Sequence, residues 1–125
     1  MVYRDGKIRH FTDLEAWKES HQLALDIYKV TKLFPKEELF GLTNQMRRAA
    51  VSVGSNIAEG FSRNTAKDKS QFYSVARGSA TELESQLLLA KDIGYLNEEA
   101  FDMTRERLNK VGRLVTGLLK YLQKQ

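Results

Sequence analysis

Gln45-Met46-Arg47-Arg48-Ala49-Ala50-Val51-Ser52-Val53-Gly54-Ser55-Asn56-Ile57-Ala58-Glu59-Gly60 is the stretch whose reading decides the fold. Met46, Ala49, Ala50, Val53 and Ile57 recur at the spacing of one helical face. A polar line made of Gln45, Ser52, Asn56 and Glu59 runs beside them. Small side chains let a neighbouring helix come close, and polar groups buried there need partners. The stretch therefore predicts a central, closely packed helix touched on more than one side.

Before it, residues 1–11 show no periodicity and read as a flexible arm. Thr12 or Asp13 can cap a first helix, with Glu15 in the first turn where negative charge suits the dipole. Leu14, Trp17, His21, Ala24, Leu25 and Tyr28 share one face of that helix and are expected to face the core. Ala16, Leu23, Ile27 and Val30 form a second apolar strip well round the cylinder. One stripe suffices for a helix in a monomeric bundle, so the second is expected to lie against another chain. Isolated surface apolar residues are the alternative for Ala16 and Val30. Pro35, the only proline, ends the helix.

Beyond it, the central helix starts at Glu38 or Leu42 and ends with Gly60 as its cap residue. Thr65 and Asp68 suggest a capping box for a third helix, whose core face is Phe72, Ala76, Ser79, Leu83, Leu87 and Ala90, with Gly94 closing it. Asn97 caps a fourth helix, and Glu98, Glu99 and Asp102 complement its N-terminus. Its apolar face is Phe101, Leu108, Val111, Val115, Leu118, Leu119 and Leu122. The expected helices span about 13–33, 38–60, 66–93 and 97–123. Strand signals are absent and connections are short, so the expectation is one all-α domain, an up-down-up-down antiparallel four-helix bundle.

Composition narrows the function. At 125 residues the chain has the size of one domain, and without cysteine it has no disulfide, thiol nucleophile or thiolate metal site. The N-terminal segment lacks the apolar run of a signal peptide, and no stretch is long enough to span a bilayer. A cytoplasmic protein with no membrane role is expected. The net charge of +4 is concentrated at the ends. From Arg105 onward there are Arg105, Arg107, Lys110, Arg113, Lys120 and Lys124 against Glu106 alone, and the first nine residues add Arg4, Lys7 and Arg9 against Asp5. Such a balance permits an anionic partner.

Catalysis finds little support. His10 lies on the arm, and His21, on the apolar face of helix one, reads as a buried, satisfied side chain. No Glu-x-x-His pair, phosphate loop or zinc spacing occurs. No catalytic residue, cofactor or metal is therefore expected. The polar line has two readings: a structural seam formed by Gln45, Ser52, Asn56, Glu59, Ser79 and Glu82, or a ligand pocket built from Arg48, Ser52, Asn56 and Glu59. The seam is preferred, because buried polar groups must pair whether or not a ligand arrives. In antiparallel packing, Arg48 should approach Glu82, and Glu59 should approach Lys67 or Ser70.

Several motifs resemble one family. Phe11-Thr-Asp-Leu14, Trp17, Tyr28, Phe34-Pro35, Gly41-Leu42, Gln45-Met-Arg-Arg-Ala49, Ser55-Asn-Ile-Ala-Glu-Gly60, Ala76-Arg-Gly-Ser79, Glu82-Leu83-Glu84 and Gly94-Tyr95 are similar to the proteins of intervening sequences in 23S ribosomal RNA genes. That resemblance implies a bundle assembling into a homopentamer with a central opening, and for most members no activity is established. It also implies a distant kinship with accessory proteins of diversity-generating retroelements, basic pentamers that engage a reverse transcriptase and nucleic acid. Gly54 departs from the family's usual proline. Nothing in this sequence then requires a kink, whereas a close backbone approach is still expected. The functional expectation is a non-enzymatic accessory or scaffold protein that binds RNA or other nucleic acid. Its phosphate contacts would come from Arg47, Arg48, Arg63, Lys110, Arg113, Lys120 and Lys124. The alternative is a ring that binds another protein and has no nucleic-acid role.

Overall fold

The structure, a computed structural model, describes residues 7–124. The first six residues of the expected arm, with Arg4 and Asp5, lie outside the described residues. Four helices account for most of the chain: α1 (Glu15–Thr31), α2 (Leu42–Ser62), α3 (Ala66–Asp92) and α4 (Glu98–Gln123), with 3-10 turns at Phe11–Asp13 and Lys36–Glu38. No strand occurs among the described residues. Each helix packs on the next in chain order, and α4 closes on α1. The packing is that of a helical bundle.

Local chemistry sets most of the boundaries. The Thr65 hydroxyl accepts from the Asp68 amide at 3.1 Å and the Asn97 carboxamide from the Ala100 amide at 2.8 Å, each supplying a partner for an orphan N–H in the first turn. Gly94 takes φ +87°, the left-handed conformation that glycine adopts without a Cβ clash, and it turns the chain after α3. The start of α1 differs from expectation. Leu14 is its N-cap and makes no side-chain cap bond. Asp13 instead folds back on the preceding turn, where its carboxylate accepts from the amides of Arg9 (3.1 Å) and His10 (3.0 Å). His10 therefore belongs to an ordered 3-10 capping box.

The core is a single cluster in which Met46, Ala49, Ala50, Val53 and Ile57 of α2 are all buried. Opposite them, α3 is turned slightly from its expected phase. Tyr73 and Ala80 are buried, whereas Phe72 and Ser79 lie at the edge. Gly60 does not end α2, which continues to Ser62. A Cβ at Gly60 would stand 2.7 Å from the Tyr73 ring, so only glycine lets that ring lie against the helix. Gly54 likewise leaves α2 unbroken, and a Cβ there would be 3.2 Å from Ser20 Oγ and 3.8 Å from Trp17 Nε1. Here the close approach of α1 is met by glycine in a continuous helix.

Helix α1 overturns the expected assignment of its two faces. Ala16, Leu23 and Ile27, expected at an interface with another chain, are 3%, 0% and 0% exposed within this one chain, and Val30 packs against the same core. Of the strip expected to face the core, His21, Leu25 and Tyr28 face outward, with Leu25 51% and Tyr28 42% exposed, whereas Leu14, Trp17 and Ala24 pack partly buried against the core. The reason lies in two hidden polar residues. Ser20 and Thr31 complete the true core stripe, the Ser20 hydroxyl donating to the Trp17 carbonyl at 2.8 Å and the Thr31 hydroxyl to the Ile27 carbonyl at 2.6 Å. Each can be buried because its hydroxyl is satisfied by its own helix.

Candidate nucleic-acid interface

The basic side chains fall into two sets, those occupied by acids, carbonyls or rings of this chain and those left to solvent. On the α1/α4 side, Arg107 Nε donates to Asp26 at 2.6 Å and Arg107 Nη1 to Glu19 at 2.8 Å, while Lys110 Nζ donates to Glu19 at 3.0 Å. The Lys110 hydrogen bond, then that of Arg107, holds the Glu19 carboxyl below the usual glutamate range against the opposing effect of burial. For Arg107 burial acts to lower the pKa, but Asp26 and Glu19 outweigh it and raise it. Lys110 is thus part of an ion network that ties α4 to α1.

Arg47 is also a structural residue. Its Nε donates to Thr31 Oγ1 at 2.9 Å, and its guanidinium sits 4.7 Å from the centroid of the Tyr28 ring. Arg63 lies over the Phe72 ring at 4.6 Å and pairs with Glu59 at 3.7 Å across the end of α2. Arg48 is exposed, as is Lys124 at the end of α4. The seven basic residues expected to act together are therefore dispersed. Arg113 and Lys120 share one groove, Arg113 also borders a hollow with Lys110 beside Glu19 and Glu106, and Arg47 and Arg48 line another beside Tyr28.

The groove of Arg113 and Lys120 runs between α3 and α4, with a volume of about 640 Å³, and its lining includes Arg77, Thr81, Asn109, Arg113, Thr116 and Lys120. Arg77, Arg113 and Lys120 are exposed, and none takes part in an ion pair among the described residues. The acid in the lining, Glu84, is held at 3.3 Å by Arg105 from α4, which offsets its charge. Three uncompensated cations thus line one groove. The Thr116 hydroxyl and the Asn109 amide stand beside them, donor types that hold phosphate oxygens, while the Thr81 hydroxyl donates to the Arg77 carbonyl at 3.2 Å. Sequence reasoning missed Arg77. Its distance of 36 positions from Arg113 hides the pairing, which depends on the phase of α3 against α4.

The polar line on α2 is partly joined. Ser52 and Ser79 hydroxyls lie 2.8 Å apart across the α2/α3 seam, and Asn56 Nδ2 donates to the Ser52 carbonyl (2.8 Å) and hydroxyl (3.0 Å). Gln45 and Glu82 are exposed, and no hydrogen bond or ion pair joins Arg48 to Glu82 among the described residues. Glu59 turns to Ser62 and Arg63 of its own segment rather than to Lys67 or Ser70. The α3 cation that reaches across is Lys69, which donates to the Phe61 carbonyl at 2.6 Å, where α2 leaves carbonyls without helical partners. His21 is exposed, not buried, and stacks on Trp17 with centroids 4.7 Å apart. Among the described residues no group of three or more metal-ligating side chains occurs, and no helix is long and apolar enough to cross a membrane.

Fold and surface define a class, an all-α four-helix protein with a basic groove. The sequence profile of the family described as 23S rRNA-intervening sequence protein matches residues 12–117. The chain belongs to that family. Among solved structures, it is similar to a protein of unknown function from the S23 ribosomal protein family of Bacteroides thetaiotaomicron VPI-5482, with 23% identity, a TM-score of 0.78, and coverage of 84% of this chain and 95% of that one. At this identity the likeness concerns the fold. Comparison with curated proteins gives no match.

Proposed function

We propose that this chain is a non-enzymatic, cytoplasmic scaffold that self-assembles and binds nucleic acid, RNA in the first instance, along the α3/α4 groove. The observation that carries the reading is the separation of the basic residues. Arg107 and Lys110 are consumed by Glu19 and Asp26, whereas Arg77, Arg113 and Lys120 converge on one groove whose one acid, Glu84, is paired with Arg105. Unpaired cations along a groove are the electrostatic footprint of a phosphate backbone. Exposed Lys124 follows Lys120 one turn on at the end of α4, whereas Arg48 stands on α2 beside Arg47 and outside the groove. In this reading the helices alternate in direction, as the Ser52–Ser79 and Gly60–Tyr73 pairings support. The chains close into a ring, a homopentamer as the family resemblance implies. Copies of a modest groove in one assembly then act together on one strand.

The test is retention of generic single-stranded RNA by the purified protein at low salt, about 50 mM, with affinity falling steeply as salt rises. Arg113→Glu and Lys120→Glu should each weaken retention, whereas Lys110→Glu should weaken it least. Absence of binding at low salt overturns the nucleic-acid reading. The alternative, a ring devoted to another protein, is favoured by the apolar outward face of α1.

A further inference from the structure

Two hollows between α1 and α2 share a wall. The first, about 450 Å³, is lined by Trp17, His21, Ala24, Leu25, Val51 and Ala58 among others, and by no Asp, Glu, Lys or Arg. The second, about 400 Å³, is lined by Asn44, Arg47, Arg48 and Ser52, and Tyr28 and Val51 belong to both. Together they make one apolar trough with two guanidinium groups at one end. Along α2, from Arg47 to Ala58, the trough runs about 17 Å, or about three turns of helix. Leu25 and Val51 are 51% and 46% exposed, and His21 and Tyr28 are exposed too, so its length is open to water. Ala24, Ala50, Gly54 and Ala58 give it small side chains over which another helix can lie close.

The free charge around the trough has one sign. The acids that neighbour its lining in sequence, Glu19, Asp26 and Glu59, each pair with an arginine of this chain, the first two with Arg107 and the third with Arg63. Lys18 and Lys29, which neighbour Trp17 and Tyr28, make no ion pair among the described residues, and neither do Arg47 and Arg48. Arg47 is also positioned in advance. Its Nε donates to Thr31 Oγ1 at 2.9 Å and its guanidinium lies 4.7 Å from the Tyr28 centroid, which leaves the Nη groups for another acceptor. A guanidinium fixed before binding loses less freedom when a carboxylate arrives.

We infer that this trough docks an amphipathic helix of a partner protein, its apolar stripe against Leu25 and Val51 and an acidic end over Arg47 and Arg48. Openness selects a helix over a small apolar molecule. Small-molecule sites bury most of the ligand, whereas a helix laid in a groove buries one stripe and keeps its polar face in water. Charge selects the acidic end. A phosphate backbone needs cations along its path, and beyond the two arginines the wall has none. The inference does not rest on the α3/α4 groove, which lies on other elements.

The test selects a displayed library of helical peptides, three to four turns long, on the purified wild-type chain. Recovered peptides should carry apolar residues at i, i+3, i+4 and i+7 and an acid at one end. One of them, made synthetically, is titrated by fluorescence polarisation. Val51→Glu and Arg48→Glu, both at exposed positions, should each weaken it about tenfold or more with the helical ellipticity unchanged, and Lys120→Glu should leave it unaltered. Replacing the peptide's acid by glutamine should weaken it by about the same factor and remove the further effect of Arg48→Glu. Failure to recover such peptides, recovery of peptides without the acid, or indifference to either variant overturns the proposal. So do two other outcomes. Loss of self-association in Val51→Glu gives the trough to a second copy, and loss of RNA retention in that variant gives it to nucleic acid.

Discussion

Leucines 23 and 25 lie two positions apart on α1, and truncating each to alanine tests which face of the helix the core uses. Leu23 is fully buried, whereas Leu25 is 51% exposed. Leu→Ala deletes three carbons, and at about 0.8 kcal/mol per buried carbon the transfer loss at Leu23 is about 2.4 kcal/mol. The cavity left behind raises the total to about 3–4 kcal/mol. At Leu25 roughly half the side chain is already in water, so the transfer loss is at most about 1.2 kcal/mol, and the better helix propensity of alanine offsets part of it. Urea unfolding followed by far-ultraviolet ellipticity, with the slope compared between variants, measures both losses. Dilute protein keeps self-association out of the comparison, since any assembly term depends on concentration. Leu23→Ala should lose about three times as much as Leu25→Ala. An equal or larger loss for Leu25→Ala refutes the inward placement of Ala16, Leu23 and Ile27.

Two glycines should respond to the same substitution with opposite sign. Gly60→Ala drives a methyl into the Tyr73 ring and should cost about 1–3 kcal/mol before the gain in helix propensity, whereas Gly78→Ala should stabilise the dilute chain by up to about 1 kcal/mol. Thermal melts of the two variants read the difference. Glu19 should give stability a pH dependence. Because Lys110 and Arg107 depress its pKa in the folded state, its contribution is complete above the unfolded value near 4.3 and is lost as pH falls through the lower folded value. Glu19→Gln should thus lie below wild type in melting temperature at neutral pH, and the gap should close between about pH 5 and pH 3. A gap independent of pH excludes the ion network as its source.

How much of this was legible in the sequence depends on where each residue's partner lies. The α2 core face could be read directly, because Met46, Ala49, Ala50, Val53 and Ile57 form an unbroken apolar stripe, and the caps at Thr65 and Asn97 are local signals. Helix α1 inverted because its true stripe is interrupted by Ser20 and Thr31, whose burial rests on hydrogen bonds to their own backbone. The rival strip carries the larger aromatic side chains and looks more like a core. On the surface, Arg113 and Lys120 were recognisable as outward cations. Lys110 was not separable from them, since Glu19, which neutralises it, is 91 positions away. Arg77 stayed hidden for the converse reason. Its role comes from the α4 cations across the groove, and α3 packs against α2 and α4 with a phase that the periodicity of α3 alone leaves open.

The most direct test of the account is the salt dependence of single-stranded RNA binding, compared between wild type and an Arg77→Ala/Arg113→Ala/Lys120→Ala variant. Each phosphate contact on a single strand contributes about 0.7 to the slope of log affinity against log salt, so removing three should reduce the slope by about 2 per bound chain. A reduction of that size, with the fold intact by ellipticity, is the predicted result. Equal slopes for the two proteins would contradict the assignment of the α3/α4 groove as the surface that holds the phosphate backbone.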